Sequence, residues 1–169
     1  MRFVLIDKIT DLRLGDSITA VKNLSLAEEY LGDHFPGFPV MPGVLMLEAM
    51  TQAGSWLVRA SEDFAHSMVV LKEAKNVKYG SFVEPGQTLT VTCELMSQED
   101  RLATLKCDGM VEGQRSVSAR LVLERYNLAE ADPEQAAVDE VIVARLRQDF
   151  SQLCPKPMAV RTAKVEPIQ

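Results

Sequence analysis

Apolar and polar residues follow two rhythms along this chain. In "QTLTVTCEL" (87–95), Leu89, Val91, Cys93 and Leu95 fall at every second position. "LATLKCDG" (102–109) repeats the pattern with Ala103, Leu105 and Cys107, and "SVSARLVLERY" (116–126) does so with Val117, Ala119, Leu121 and Leu123. Alternation puts one face on a core and the other in water, which predicts half-buried antiparallel strands. "MVVLKEAKNVKY" (68–79) is strand-like too. "EPGQ" (84–87) and "VEGQ" (111–114) are turn signals, the second fitting a hairpin. Nearer the start, "FVLID" (3–7) predicts a short strand, and "SITAVKNLS" (17–25) a second after a turn at 14–16.

The other rhythm is helical. "PGVLMLEAMTQAGSWLVRA" (42–60) combines strong helix formers with no internal proline, and Pro42 suits a first turn, where an N–H would have no partner. A helix is expected from about 43 to 59. Its apolar residues cover most of the circumference, so it is expected to be buried on most sides, with the sheet curled around it. One long helix followed by a meander of strands is an α+β pattern. Past Asn127 an acidic turn leads to a second expected helix, about 133–153. There Val138, Ile142, Leu146 and Phe150 recur every four residues, flanked by Val141 and Leu153. The reading is a core of residues 1–126, and an extension of 127–169 with one amphipathic helix and an extended tail from Cys154 onward.

Composition narrows the classes. The 169 residues suit one domain, and 47% hydrophobic with 25% charged residues is ordinary for a soluble globular chain. A net charge of −6 argues against general nucleic-acid binding. No apolar run reaches the roughly 18 residues of a membrane span. The acids Asp7 and Asp11 make a signal peptide an unexpected reading of the N-terminus. Cys93, Cys107 and Cys154 lack metal-ligand spacing and are expected as free thiols in a reducing cytoplasm.

The candidate chemistry lies in "GDHFPGFPVMPGVLMLEAMTQAG" (32–54). Glu48, Gln52 and Ser55 fall at i, i+4 and i+7, a narrow polar line bordered by Thr51. The plain alternative is a solvent-facing line, but such lines carry several charges, and this one has only Glu48 until Arg59. Apolar surroundings disfavour a carboxylate anion, which suits Glu48 to proton donation. Pro36, Pro39 and Pro42 stiffen the loop bearing His34, and Gly37 and Gly43 permit close backbone approach. The loop ends at a helix N-terminus, whose bare N–H groups, Gly43 included, can hold a developing oxyanion. A histidine, a carboxyl group and an oxyanion donor together suit proton chemistry beside a carbonyl.

"HFPGFPVMPGVLMLEAMTQAG" resembles the signature of the 3-hydroxyacyl-acyl-carrier-protein dehydratases of the FabZ/FabA type. The match runs through His34, Phe35, Pro36, Gly37, Pro39, Val40, Met41, Pro42, Gly43, Leu45, Glu48, Ala49, Met50 and Gln52. Weaker similarity extends over about 3–125. The resemblance implies a hot-dog fold, a long helix wrapped by a curved antiparallel sheet. It also implies that His34 removes the C2 proton, Glu48 protonates the leaving C3 hydroxyl, the Gly43 amide polarises the thioester carbonyl, Gln52 orients Glu48, and the Val40 carbonyl sets the His34 tautomer. In this family the site forms at a dimer interface, with His34 of one chain facing Glu48 of the other, in dimers or trimers of dimers. No metal and no redox cofactor is implied; the phosphopantetheine of acyl carrier protein carries the substrate.

The chain departs from the family pattern beside this signature. "VKYGSFV" (77–83) replaces a segment with paired basic residues, and "VLKEAKN" (70–76) replaces a glycine-containing one. In the family these positions lie near the acyl tunnel and the carrier-docking surface. Carrier proteins are acidic, so a local basic patch is expected, with Lys75, Lys78, Arg59 and Arg101 as candidates. A hot-dog thioesterase and a non-catalytic acyl-carrier-binding subunit are the alternative readings. The first has no need of His34 in a proline-locked loop, and the second no reason to keep a buried carboxylate.

Overall fold

A computed structural model describes residues 4–154. The tail after Cys154 and the first residue of "FVLID" lie outside the described residues. The elements run β1 (Lys8–Arg13), β2 (Ser17–Asn23), α1 (Gly43–Ser61), β3 (Met68–Tyr79), β4 (Thr88–Glu99), β5 (Leu102–Val111), β6 (Gln114–Tyr126) and α2 (Ala136–Leu153). The six strands form one antiparallel sheet in the order β1-β2-β4-β5-β6-β3. Register shifts interrupt four of its five ladders, at Ile9/Asp11, Leu71/Glu73, Lys75/Lys78, Leu95/Ser97 and Gly109/Met110. Such bulges bend and twist strands, and here they curl the sheet around α1.

The alternating positions behave as expected. Leu89, Val91, Cys93, Ala103, Leu105, Cys107, Val117, Leu121 and Leu123 are buried against α1. Small residues bring the helix close. A Cβ on Gly54 would stand 3.2 Å from Leu105 Cδ2, so the absence of a side chain there sets the helix–sheet spacing. Met46, Ala49, Met50, Ala53, Leu57 and Val58 complete the buried surface of α1. None of the three cysteines is in a disulfide, and Cys93 and Cys107 are buried as cross-strand neighbours. Among the described residues no helix is long and apolar enough to cross a membrane.

Three expectations need correction. The first strand begins at Lys8, so "FVLID" is not a strand. Leu5 and Ile6 are fully buried, but as irregular backbone plugging the core, and the Leu5 N–H goes to the Gln52 side chain. Helix α1 runs two residues past 59, ending where Asp63 and Phe64 turn left-handed at φ 48 and 59. In α2, Val138 and Val141 face solvent, while Ile142, Leu146, Phe150 and Leu153 pack on the core. The helix is tilted so that its second half makes the contact. Phe150 stacks near Trp56 and Phe64, at centroid distances of 5.9 and 5.4 Å, each such pair contributing about 0.5–1.5 kcal/mol beyond its buried area.

Candidate active site

The loop before α1 is anchored from below. Lys22 is buried and its ammonium donates to Glu28 at 2.6 Å, which pins the chain just before the 3-10 turn at Glu29–Leu31. The His34 N–H then donates to the Tyr30 carbonyl. Phe35 sits at φ 57, a left-handed conformation that costs a side-chain-bearing residue about 1–2 kcal/mol. Its ring packs 4.3 Å from the imidazole of His34. Strain of this kind persists where neighbours over-determine the backbone, here Pro36 behind and the Phe38 N–H bonded to the Phe35 carbonyl.

His34 Nδ1 lies 3.0 Å from the Val40 carbonyl oxygen. A carbonyl can only accept, so Nδ1 carries the proton and Nε2 holds the lone pair of the neutral ring. Val40 is buried, and the next residue, Met41, donates its N–H to the Val83 carbonyl, which fixes this acceptor to the sheet side of the loop.

Glu48 lies in the second turn of α1, half-buried. Its Oε1 accepts from Gln52 Nε2 at 2.8 Å, and Gln52 Oε1 accepts from the Leu5 N–H at 2.9 Å. The Leu5 donor settles which end of the Gln52 amide is oxygen. Among the described residues Glu48 Oε2 has no hydrogen-bond partner, which leaves that oxygen to hold or deliver a proton. At the helix start, Pro42 gives no side-chain cap, its carbonyl accepts from Leu45 and Met46, and the Gly43 and Val44 N–H groups donate to no described residue. The Tyr79 ring lies over Gly43 so closely that a Cβ there would stand 2.9 Å from Cε1. The bare amide depends on glycine.

These groups form two sets within one chain: His34 with Val40, and Glu48 with Gln52. Glu48 opens into a cavity of about 600 Å³ lined by one face of α1, by β3 and by α2, and His34 takes no part in the lining. Arg59 also lines this cavity, stacked 5.7 Å over Trp56 and donating to the Val69 carbonyl. Burial pushes its guanidinium down to about 10, which leaves it charged at neutral pH. Arg101 is exposed at the β4–β5 turn and paired with Glu130.

Lys75 and Lys78 are exposed on β3 and share the outer face of the sheet with basic residues of the neighbouring strands. Register places Lys75 opposite Arg120, and Arg120 opposite Lys106. Lys78, Lys106, Arg115 and Arg120 line one shallow groove, with Asp108 bound to Arg115 at 2.8 Å. Sequence reasoning missed Lys106, Arg115 and Arg120. The outward parity of Lys106 on β5 and of Arg120 on β6 was available as a signal; Arg115 shares the parity of the buried positions and is turned outward by the register shift at Gly109/Met110, and the register that gathers the three was not legible. It also missed Tyr79 as the cover of Gly43 and Leu5 as the second partner of Gln52.

A long helix wrapped by a curved antiparallel sheet defines the hot-dog class, and here a histidine loop stands at the helix start and a carboxylate in its second turn. The FabA-like domain model matches residues 1–120, and the chain belongs to that family. The 3-hydroxyacyl-acyl-carrier-protein dehydratase FabZ of Levilactobacillus brevis is 38% identical over 118 residues, covering 70% of this chain and 80% of the relative. That of Lactiplantibacillus plantarum is 38% identical over 108 residues, covering 64% and 74%. Among solved structures, the dehydratase heterocomplex ApeI:P from Xenorhabdus doucetiae superposes with TM-score 0.64 at 18% identity, over 79% of this chain and 90% of that one. The protein smu.793 of Streptococcus mutans, bound to acetyl CoA, gives 0.57 at 14% identity, over 74% and 92%. At these identities the structural likeness speaks for the fold alone.

Proposed function

We infer that this chain dehydrates 3-hydroxyacyl groups on acyl carrier protein to trans-2-enoyl groups in fatty-acid biosynthesis. The observation that carries the reading is the pair of oriented groups: a His34 Nε2 with a free lone pair and a Glu48 Oε2 free to deliver a proton. The Gly43 N–H holds the thioester carbonyl oxygen as charge develops there. His34 takes the C2 proton, the electrons of that bond form the C2–C3 double bond, and the C3–O bond breaks as Glu48 protonates the departing hydroxyl. One water leaves for each enoyl group formed, and no electrons are gained or lost, so the step itself calls for no redox cofactor.

Among the described residues the cavity beside Glu48 takes no lining from His34, which supports a site that draws its histidine from a second copy. Two features support a homodimer. β3 is an edge strand of twelve residues whose outer side is unpaired among the described residues, a template for another strand. Phe35, Phe38, Val44, Tyr79 and Phe82 are exposed around the start of α1, a grouping that marks an interaction surface. The Lys78–Arg120 groove follows directly on Tyr79 and is the docking surface for the acidic carrier, in the cytoplasm. Arg59 is stacked inward and takes no part in it.

The test is a purified-protein assay with 3-hydroxyacyl and trans-2-enoyl thioesters on acyl carrier protein, following the conjugated enoyl absorbance. The expected result is reversible interconversion, lowered about 10²- to 10⁴-fold by His34→Ala or Glu48→Gln, with unchanged melting temperature. Release of free thiol in place of enoyl product would show a thioesterase. Carrier binding without turnover would show a non-catalytic subunit.

A further inference from the structure

Helix α2 lies beyond the FabA-like match at 1–120, yet it walls the cavity into which Glu48 opens. On α1 the lining residues are Glu48, Thr51, Gln52, Ser55, Trp56 and Arg59. They follow helical spacing along a single face, so the cavity is a groove running down the helix. From Glu48 to Arg59 the helix rises about 16 Å. The reaction fixes the direction of travel. With C3 at Glu48, at one end of the lined face of α1, the acyl chain has the rest of that face, towards Arg59, to lie along. Leu146 and Leu153 of α2 line the same cavity together with Trp56 and Val69, Val70 and Leu71 of β3, and the pair Arg145–Asp149, bonded at 2.9 Å, stands at the same helix face.

We propose that α2 is the chain-length determinant of this dehydratase: Leu146 and Leu153 close the distal end of the acyl groove, so the enzyme accepts acyl chains that end at this wall and rejects longer ones. The inference rests on the dehydratase reading above. Val69, Val70 and Leu71 of β3, Leu146 and Leu153 of α2 and Trp56 of α1 give the groove an apolar strip beside Arg145, Asp149 and Gln152, and such a strip suits an alkyl chain. Its wall comes from a helix anchored on the core by Phe150 and by Asp139, whose carboxylate accepts from the Ser67 hydroxyl and from the Leu128 and Ala129 N–H groups. These contacts hold the wall against the core at both ends of α2.

The experiment measures kcat/KM for 3-hydroxyacyl pantetheine thioesters from butanoyl to tetradecanoyl, using the full-length protein. Leu153→Trp adds bulk at a half-buried position near the end of α2, and Leu146→Ala removes it. Leu153→Trp is expected to lower the longest accepted substrates by about tenfold or more and leave the shortest unchanged. Leu146→Ala is expected to move the profile towards longer chains. Thermal melts identify a variant that fails to fold, and Leu153→Trp, at a partly exposed site, remains decisive if Leu146→Ala does not fold. Wild-type turnover with length profiles parallel in all variants would overturn the role of α2 alone. Absence of wild-type turnover at every length would sink the dehydratase reading, and this inference with it.

Discussion

Gln52 is the hinge of the carboxylate's geometry. It holds Glu48 through Nε2 and is itself held through Oε1 by the Leu5 N–H. A change to leucine keeps the volume, frees the Glu48 rotamer and leaves the Leu5 donor without its partner. The expected outcome for Gln52→Leu is a fall in kcat of about a hundredfold, the cost of a misplaced catalytic group, with KM changed far less. A kcat that stays at the wild-type level would remove Gln52 from the mechanism. The Glu48–Gln52 half of this device was legible in the sequence, because i, i+4 spacing on a helix is local geometry. The Leu5 half was not, because it joins residues 47 apart through a backbone amide that the apolar run "FVLID" advertised as strand ladder. The His34–Val40 pairing came from the family resemblance and not from spacing, and it is found at 3.0 Å.

Among the elements, β4, β5 and β6 were the most legible, since each buries one face and exposes the other, with the period of two broken only near the bulges at Leu95/Ser97 and at Ser116–Val117. Helix α2 was legible only in part. A four-residue apolar repeat defines a stripe, but it does not say how much of the stripe a tilted helix brings into contact, and Val138 and Val141 were left in solvent. What holds the first half of α2 is polar: Asp139 takes three hydrogen bonds from β3's approach and from the 128–129 backbone. Burial pushes the Asp139 carboxyl up, and the Ser67, Ala129 and Leu128 donors more than offset this, so it titrates below the ordinary carboxylate range. A depressed folded value means stability fully present above the unfolded value, about 3.9, and lost as pH falls through the folded one. At neutral pH, Asp139→Asn is therefore expected to melt below the wild type. The gap between the two is expected to close as pH falls below about 4. Trp56, the single tryptophan, packs on Phe150, so its fluorescence reports α2 docking directly. A gap that stays constant down to acid pH would show that the Asp139 charge contributes nothing.

For the whole molecule, the exposed apolar residues and the free β3 edge have one geometric consequence. A closed two-fold dimer buries the same patch on both copies and generates two equivalent sites. If each site draws His34 from one copy and Glu48 from the other, His34→Ala and Glu48→Gln damage different halves of the same site. A hybrid of the two variants then contains one site carrying both lesions and one site carrying neither. Equal mixing with free exchange makes half the dimers hybrid, each with one intact site, so recovered activity is expected at about a quarter of the wild-type level. Neither variant alone reaches this, so the recovery is read against a near-silent background. Co-expression of the two variants with different tags, followed by sequential purification of the hybrid, raises the expected figure to about half. An inactive hybrid, purified intact, would place His34 and Glu48 in the same copy. That outcome would require the His34 loop to swing onto the Glu48 cavity within one chain, against the anchors at Lys22–Glu28 and Met41–Val83 that hold it where it stands.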